Sequence, residues 1–392
     1  MFPRAVWLLF IGTLINRFGG FVLVFLILYL TRGGYSAAQA GLAVGAYGVG
    51  AIAASLIGGF LADRIGRRGT IALSMLSAAV AILALERARS FGAIVALVAL
   101  TGLTAEAYRP AASAMLGDLV EPARRVTAFA WYRLSINLGA ALGPLLGGWL
   151  AQHSFRWLFW GDALSCAIYG VLALALLPET RPVVRPPAFE AESSIAIRAE
   201  PSGGRTWLRD PWMMRFLIAS TLTSIVYAQM HSTFALQVTA RGLSDATYGV
   251  LIGLNGLVVL ALELPIASIT QRLPKPPVIA FAFVMLGIGF GLTGVAATAW
   301  LLAGTVVIWT LGEIVGAPVA SAYVTELAPP AQRGRYQGAW SMTFAIGYVL
   351  GPALGASLFG WRPATLWTAC FGACVVAAML VATSPKRAQP GP

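Results

Sequence analysis

The sequence predicts an all-α integral membrane protein of twelve transmembrane helices, arranged as two pseudo-symmetric six-helix halves. Three observations lead there. The first is composition: 58% of the 392 residues are hydrophobic and only 11% are charged, against roughly 25% charge in a soluble chain. Mean hydropathy is +0.78. The second is a succession of about twelve apolar runs that reach or approach the roughly 20 residues a helix needs to cross a bilayer. They lie near 5–30, 37–61, 70–85, 91–116, 127–150, 157–177, 212–239, 245–270, 278–297, 300–326, 335–358 and 363–383. The third is an internal repeat at a separation of 208 residues, which takes Gly143-Pro144 onto Gly351-Pro352.

The net charge of +12 reads as topology rather than as a nucleic-acid surface. With the N-terminus inside, the cytoplasmic segments hold Arg4, Arg64, Arg67, Arg68, Arg124, Arg125, Arg181, Arg185, Arg198, Arg205, Arg209, Arg215, Arg272, Lys275, Arg333, Arg335, Lys386 and Arg387. The outer loops hold Arg32, Arg87, Arg89, Arg156, Arg241 and Arg362. This positive-inside bias places both termini in the cytoplasm, with basic loops against anionic lipid. No motif supports a nucleic-acid partner. Residues 1–30 read as a span, not a cleaved leader, because the apolar region is long and leads through Gly33-Gly34 into the next span.

The first span carries Asn16 and Arg17 near its midpoint. An arginine at that depth costs roughly 2.5–3.5 kcal/mol on an insertion scale and turns to a bundle interior or a wet cavity. Snorkelling is the alternative, but some twelve residues separate it from the near end, beyond its reach. The second span has Gly41, Gly45 and Gly48 at helical spacing, a ladder that lets helices approach closely. Between spans two and three lies Gly59-Phe-Leu-Ala-Asp63-Arg64-Ile-Gly66-Arg67-Arg68. The acid can face a helix N-terminus, and the arginines seek carboxylates or lipid phosphates.

That loop, G-x-x-x-D-R-x-G-R-R, resembles the loop between helices two and three of the major facilitator superfamily of transporters. The resemblance runs over essentially the whole chain. It implies alternation between inward- and outward-open states around a cavity lined by spans one, four, seven and ten. It also implies that Gly59, Asp63, Arg64, Gly66, Arg67 and Arg68 form part of a cytoplasmic latch between the halves, with Asp118 a partner for Arg67.

In span four, Gly102, Glu106, Arg109 and Ser113 share one face. Glu106 and Arg109 can neutralise each other at i,i+3; the competing reading adds Arg17 to make a charged network. Tyr108 stands between them. Span five carries Arg133, then Asn137, Gly139, Gly143, Pro144, Gly147 and Gly148. The proline bends the helix and the glycines allow close contact. The string resembles the fifth-helix motif of proton-coupled drug antiporters, G-x8-G-x3-GP-x2-GG, but its first glycine is replaced by Ala130. Span six opens with an aromatic belt, Phe155-Arg156-Trp157-Leu158-Phe159-Trp160-Gly161-Asp162, and closes on Leu177-Pro178-Glu179-Thr180, a familiar stop in this superfamily.

The repeat divides the chain into a half at 1–180, a cytoplasmic linker at 181–211 with Pro182, Pro186, Pro187 and Pro201, and a half at 212–392 ending in a short cytoplasmic tail. Trp207 to Arg209 are expected to form a short surface helix. At the same offset Pro110 meets Pro318, Asp118 meets Glu326, and Gly41, Gly45 and Gly48 meet Gly249, Gly253 and Gly256. Gly139 and Gly147 meet Gly347 and Gly355. The latch is not repeated: Asp63-Arg64-Ile65-Gly66-Arg67 becomes Gln271-Arg272-Leu273-Pro274-Lys275. Span eleven has Gly338 nine residues before Gly347, so it holds the fuller glycine pattern.

Span seven offers Tyr227, Gln229 and His231, span eight Asn255 and Glu263, and span ten Glu313 at its midpoint. A lone mid-membrane carboxylate is paired, protonated, or each in turn, which is what a proton carrier needs. Glu313 is therefore the first choice for proton coupling. His231 is either a relay, since imidazole titrates near pH 6.5, or a packing residue. The stretch from Gly312-Glu313 to Gly338 resembles drug-efflux members of the superfamily. Candidate pathway residues are thus Asn16, Arg17, Glu106, Tyr108, Arg109, Arg133, Gln229, His231, Glu263 and Glu313.

Cys166, Cys370 and Cys374 lie in spans without His or carboxylate ligands at metal spacing, so packing is expected and no metal. No G-x-x-x-x-G-K-[ST] loop occurs, so the driving force is expected to be a gradient rather than ATP. His153 and His231 sit in no catalytic spacing, which argues against an enzyme; a sensor would bring an added soluble domain. The reading reached is a bacterial inner-membrane exporter of amphipathic small molecules, proton-coupled, needing no cofactor and working as a monomer. An importer or facilitator of a polar or anionic metabolite, held by Arg17 and Arg109, is the alternative.

Overall fold

A computed structural model describes residues 2–181, 210–329 and 332–382. The expected linker prolines, the short helix near Trp207 and the C-terminal tail lie outside the described residues. Among the described residues fifteen α-helices succeed one another: α1 (Arg4–Phe18), α2 (Phe21–Arg32), α3 (Ala37–Arg64), α4 (Arg67–Arg87), α5 (Phe91–Glu106), α6 (Tyr108–Leu119), α7 (Arg125–His153), α8 (Phe155–Leu176), α9 (Pro211–Tyr227), α10 (Thr233–Ala240), α11 (Asp245–Thr270), α12 (Lys275–Thr293), α13 (Ala299–Leu327), α14 (Arg333–Trp361) and α15 (Pro363–Ala382). Among the described residues, eleven segments are long and apolar enough to span a membrane. The seventh expected span is the exception, because a 3-10 turn at Ala228–His231 divides it into α9 and α10. Spans one and four are also broken, at Gly19-Gly20 between α1 and α2 and at Ala107 between α5 and α6.

Helix starts obey side-chain chemistry. Ser36 and Gln39 form a reciprocal capping box at α3, and Ser90, Ser244 and Thr298 each accept a backbone N–H at the start of α5, α11 and α13. Each satisfies a donor that the helix itself leaves free. The start of α4 is unusual. Gly66 has φ +91°, and a methyl there would collide with the Glu179 carboxylate. That carboxylate instead accepts from Arg67 N at 2.8 Å, so the acid closing span six caps span three.

Apolar packing explains how the halves meet. One continuous core contains Phe21, Phe25, Val44 and Phe159 from α1–α8 together with Phe234, Tyr248, Trp309 and Trp367 from α9–α15. At the opposite side each half has a separate core: Val6, Phe10, Ile71, Met75 and Tyr169 in one, and Met213, Phe216, Val319 and Val324 in the other. The bundle is therefore joined on one side and parted on the other. The joined side carries Arg32 and Arg241; the parted side carries the loop at 64–68.

Two seams join the halves, α3 against α14 and α7 against α11. The 208-residue repeat exchanges them. A methyl on Gly41 would strike the carbonyl of Pro352, and one on Gly249 would strike that of Pro144. The glycine ladders of α3 and α11 thus admit the facing proline turns of α14 and α7. Gly59 and Gly338, on the parted side, have open space where a side chain would go.

Three glycines of α7 and three of α14 face the broken spans. Gly139 and Gly143 lie against Arg17 and Phe18, and Gly147 against Phe21 and Phe25. Gly347, Gly351 and Gly355 lie against Ser224, Ala228 and Gln229. Each proline-glycine helix therefore holds one broken span on one face and the other half on another.

Candidate functional site

Between the halves is a cavity of about 960 Å³, lined by α1, α3, α5, α7, α11, α13 and α14 among others. The breaks in spans one and four bring their charged side chains to its wall. Arg17 meets Glu106 through Nη1–Oε1 at 3.3 Å and Nη2–Oε2 at 3.4 Å. Arg109 approaches the same carboxylate at 2.6 Å, and the Tyr47 hydroxyl donates to it at 3.0 Å. Arg17 also donates to the Tyr108 hydroxyl, from Nε at 3.2 Å and Nη2 at 3.0 Å. One carboxylate thus serves two guanidinium groups, the arrangement a low-dielectric site needs to hold charge. The cluster carries a net positive charge. Arg109 brings it to the cavity, with its side chain 52% exposed against 18% for Arg17.

The other half presents Glu313. Its Oε2 accepts from Asn255 Nδ2 at 3.1 Å, and the same amide donates to Thr310 at 3.0 Å. Among the described residues no ion pair includes Glu313. Tyr227 and His231 line the same cavity. The His231 ring stacks on Tyr348 with centroids 6.3 Å apart, and its Nδ1 is buried without a hydrogen-bond partner among the described residues.

Four expected pathway residues stand elsewhere. Gln229 is buried at 1% exposure and turned away from the cavity. Its amide donates to the carbonyls of Ile225 and Gly351 at 2.8 and 2.9 Å, while its oxygen accepts from Ser232 and Thr233 at 3.3 and 2.8 Å. With that capacity filled, it is a clamp on the span-seven break. Tyr108 is fully buried behind Arg17. Arg133 and Glu263 pair across the α7–α11 seam, beyond the stretch of those helices that lines the cavity. Asn16 does line it, and donates to Cys166 Sγ at 3.3 Å.

The loop residues make their contacts within the first half. Arg67 lies 3.3 Å from Asp118 and 3.6 Å from Asp63, and donates to the Ala62 carbonyl at 3.1 Å. Arg64 stacks over Phe60, and its carbonyl accepts from Arg181 at 2.9 Å. The bridge to the second half expected of this latch is not among these contacts, as befits two halves parted on that side. The degenerate repeat keeps one pair of its own, Lys275 with Glu326 at 2.5 Å.

Three participants carried little signal in the sequence. Tyr47 sits in a glycine-rich apolar helix, Glu179 at a helix stop, and Asp162 within an aromatic belt. Asp162 proves to be 7% exposed and on the cavity wall. An acid at the sixth residue of an apolar run was the available clue.

The family model of the Major Facilitator Superfamily matches residues 9–244 and 232–392. The chain belongs to the major facilitator superfamily. Members with similar sequences include the uncharacterized MFS-type transporter YqjV of Bacillus subtilis, 28% identical over 375 residues, covering 93% of this chain and 90% of that one. The multidrug resistance protein MdtH of Aeromonas hydrophila is 26% identical over 357 residues, covering 90% and 87%. Among solved structures, a peptide transporter POT in complex with sulfate superposes with a TM-score of 0.79 at 20% identity, covering 97% of this chain and 94% of that one. At that identity the likeness is one of fold. This superfamily member is a multi-pass membrane transporter.

Proposed function

We propose that this protein is a proton-coupled secondary transporter that exports amphipathic small molecules from a bacterial cell by alternating access. The observation that carries the reading is Glu313: a carboxylate on the cavity wall, held by an amide and without a cationic partner. Such a group is costly in the membrane unless it takes a proton or a cation. A proton entering from outside neutralises Glu313; a cationic substrate arriving from inside displaces it. The exchange needs no cofactor beyond the proton gradient. The mostly apolar wall suits an amphipathic body, and relatives bearing the MdtH name support the substrate class.

With the positive-inside orientation, both termini are cytoplasmic and the parted side is the inner one. The arrangement of the halves then corresponds to an inward-open state. Rocking about the two glycine seams would close the inner side and open the outer, engaging the loop at 59–68 with the second half. A monomer contains both halves of the cavity.

The half-exposed Arg109 beside Arg17 favours a second reading, transport of an anionic or zwitterionic metabolite with its carboxylate or phosphate at the N-terminal cluster. Proteoliposomes with an internal pH-sensitive dye separate the two. Lipophilic cations should release protons in wild type and not in Glu313→Gln. Proton movement with organic anions alone, retained in Glu313→Gln and lost in Arg17→Ala, would replace export of cations by metabolite transport.

A further inference from the structure

Asp162 stands apart from both charged groups of the site. It lies on α8, two turns from the helix start, and its side chain turns toward the break in span one. There Gly20 precedes the first residue of α2 and supplies no side-chain cap. Asp162 Oδ2 takes that role from another span, accepting from Val22 N at 3.0 Å. Its Oδ1 lies 3.8 Å from Cys166 Sγ, which in turn accepts from Asn16 at 3.3 Å. The residue is nine-tenths buried and lines the central cavity.

Its surroundings contain no spare cation. The charged and titratable groups facing it are Arg17 from α1 and Cys166 from α8 itself. Arg17 is already spent on Glu106 and Tyr108. From α2 come backbone N–H groups, and among the described residues no ion pair or side-chain hydrogen bond reaches it from α4 or α7, which also pack on α8. Among the described residues no ion pair includes Asp162. Backbone N–H groups and a thiol do not offset the cost of a permanently ionised carboxylate in the membrane interior, whereas a protonated carboxyl keeps the same cap through Oδ2. The cavity gives water access to it.

We propose that Asp162 is a second proton-binding site, in the half opposite Glu313, and that its occupancy is linked to the span-one break. The step is proton transfer alone: Oδ1 takes a proton from cavity water and returns it to water, with no other bond made or broken. When ionised, the carboxylate holds the start of α2 by a charge-assisted hydrogen bond; when neutral, it holds it more weakly. Arg17 lies on the other side of Gly19-Gly20, so the proton state of Asp162 bears on how α1 presents Arg17 to the cavity. This goes beyond the drug-export reading and is independent of which substrate is carried.

A hydrophobic carbodiimide, which reacts with protonated carboxyls, tests it in the purified full-length protein without any substrate. Peptide mapping of the wild-type protein should find the adduct on Asp162 at acidic pH, with labelling falling to background as pH rises. The same fall should persist in Glu313→Gln, which keeps this result separate from the fate of the Glu313 assignment. Infrared difference spectra across the same pH change should contain a protonated-carboxyl band that survives in Glu313→Gln and disappears in Asp162→Asn, an isostere that still accepts from Val22. Labelling of Asp162 that is absent at every pH, or constant across pH, would overturn the proposal, as would a carboxyl band unaltered in Asp162→Asn.

Discussion

The guanidinium of Arg32, at the end of α2, and the carboxylate of Asp245, in the first turn of α11, meet through two hydrogen bonds of 2.7 Å across the joined side of the bundle. Phe155 lies against the guanidinium, 5.2 Å from its centre. This is the geometry of a gate bolt, and its two ends are unequal. Arg32 keeps half its side chain exposed, whereas Asp245 is 2% exposed.

Removing either end should loosen the joined side, but not equally. Arg32→Ala strands a buried carboxylate and should cost that arrangement about 1.5–3 kcal/mol, the range for hydrogen bonds to charged groups. Asp245→Asn leaves a guanidinium half in solvent and should cost about 1 kcal/mol or less. Distances between spin labels on the two halves, measured on the joined side, check the order. A larger opening in Asp245→Asn than in Arg32→Ala would contradict it.

The seams should be stricter still. Gly41 and Gly249 admit the carbonyls of Pro352 and Pro144, so Gly41→Val or Gly249→Val leaves no room for the joined arrangement. A cysteine at Ala40, which is fully buried and outside the cavity lining, should then gain reactivity toward a water-soluble maleimide. Gly59→Ala, with open space around it, should leave that labelling as in wild type. Equal labelling in all these backgrounds would mean that the glycines do not set the seam.

The charged cluster on the N-terminal half yields a third comparison. Glu106 is shared by two guanidinium groups, so Glu106→Gln leaves Arg17 and Arg109 facing one neutral amide. That loss should be of the order of breaking a buried pair, about 3–5 kcal/mol. Arg109→Gln keeps the Arg17–Glu106 contact and removes a half-exposed charge, with an expected cost below about 1 kcal/mol. Thermal unfolding in detergent, monitored by tryptophan fluorescence, ranks the two. Comparable midpoints would mean that the Arg109–Glu106 contact matters as much as the carboxylate itself, against the expected order.

Periodicity decided which features were legible in the sequence. The α3 and α11 glycines repeat at helical spacing and again at 208 residues, so the ladder was visible; that it forms the joint between halves needed the facing prolines. Glu106 and Arg109 are one turn apart and could be paired on paper, and Arg17 could be sent to a cavity by its depth. Arg32 and Asp245 are 213 residues apart and appeared only as a loop charge and a helix start. Asp162 was hidden by the aromatic residues around it. The face a polar residue takes beside a helix break is likewise not periodic, because the 3-10 turn at Ala228–His231 changes the helical register of its own residues and of α10. Gln229 is for that reason turned from the cavity face that an unbroken helix would give it.

Gln229 makes the last prediction, and it separates a clamp from a pathway residue. Gln229→Leu removes the partner of the buried Thr233 hydroxyl, a second partner of Ser232, which also donates to the Ala228 carbonyl, and the donor to two carbonyls, those of Ile225 and Gly351. Leaving even one such group unsatisfied costs about 1–3 kcal/mol, so the folded protein should lose at least about 2 kcal/mol. Gly355 adds to this, since it has no side chain where the Gln229 amide sits against α14, and leucine's branched end fits that space poorly. The expected signature is a lower midpoint of thermal unfolding with unchanged substrate affinity in the fraction that remains folded. A variant that unfolds like wild type but binds substrate more weakly would return Gln229 to the cavity wall.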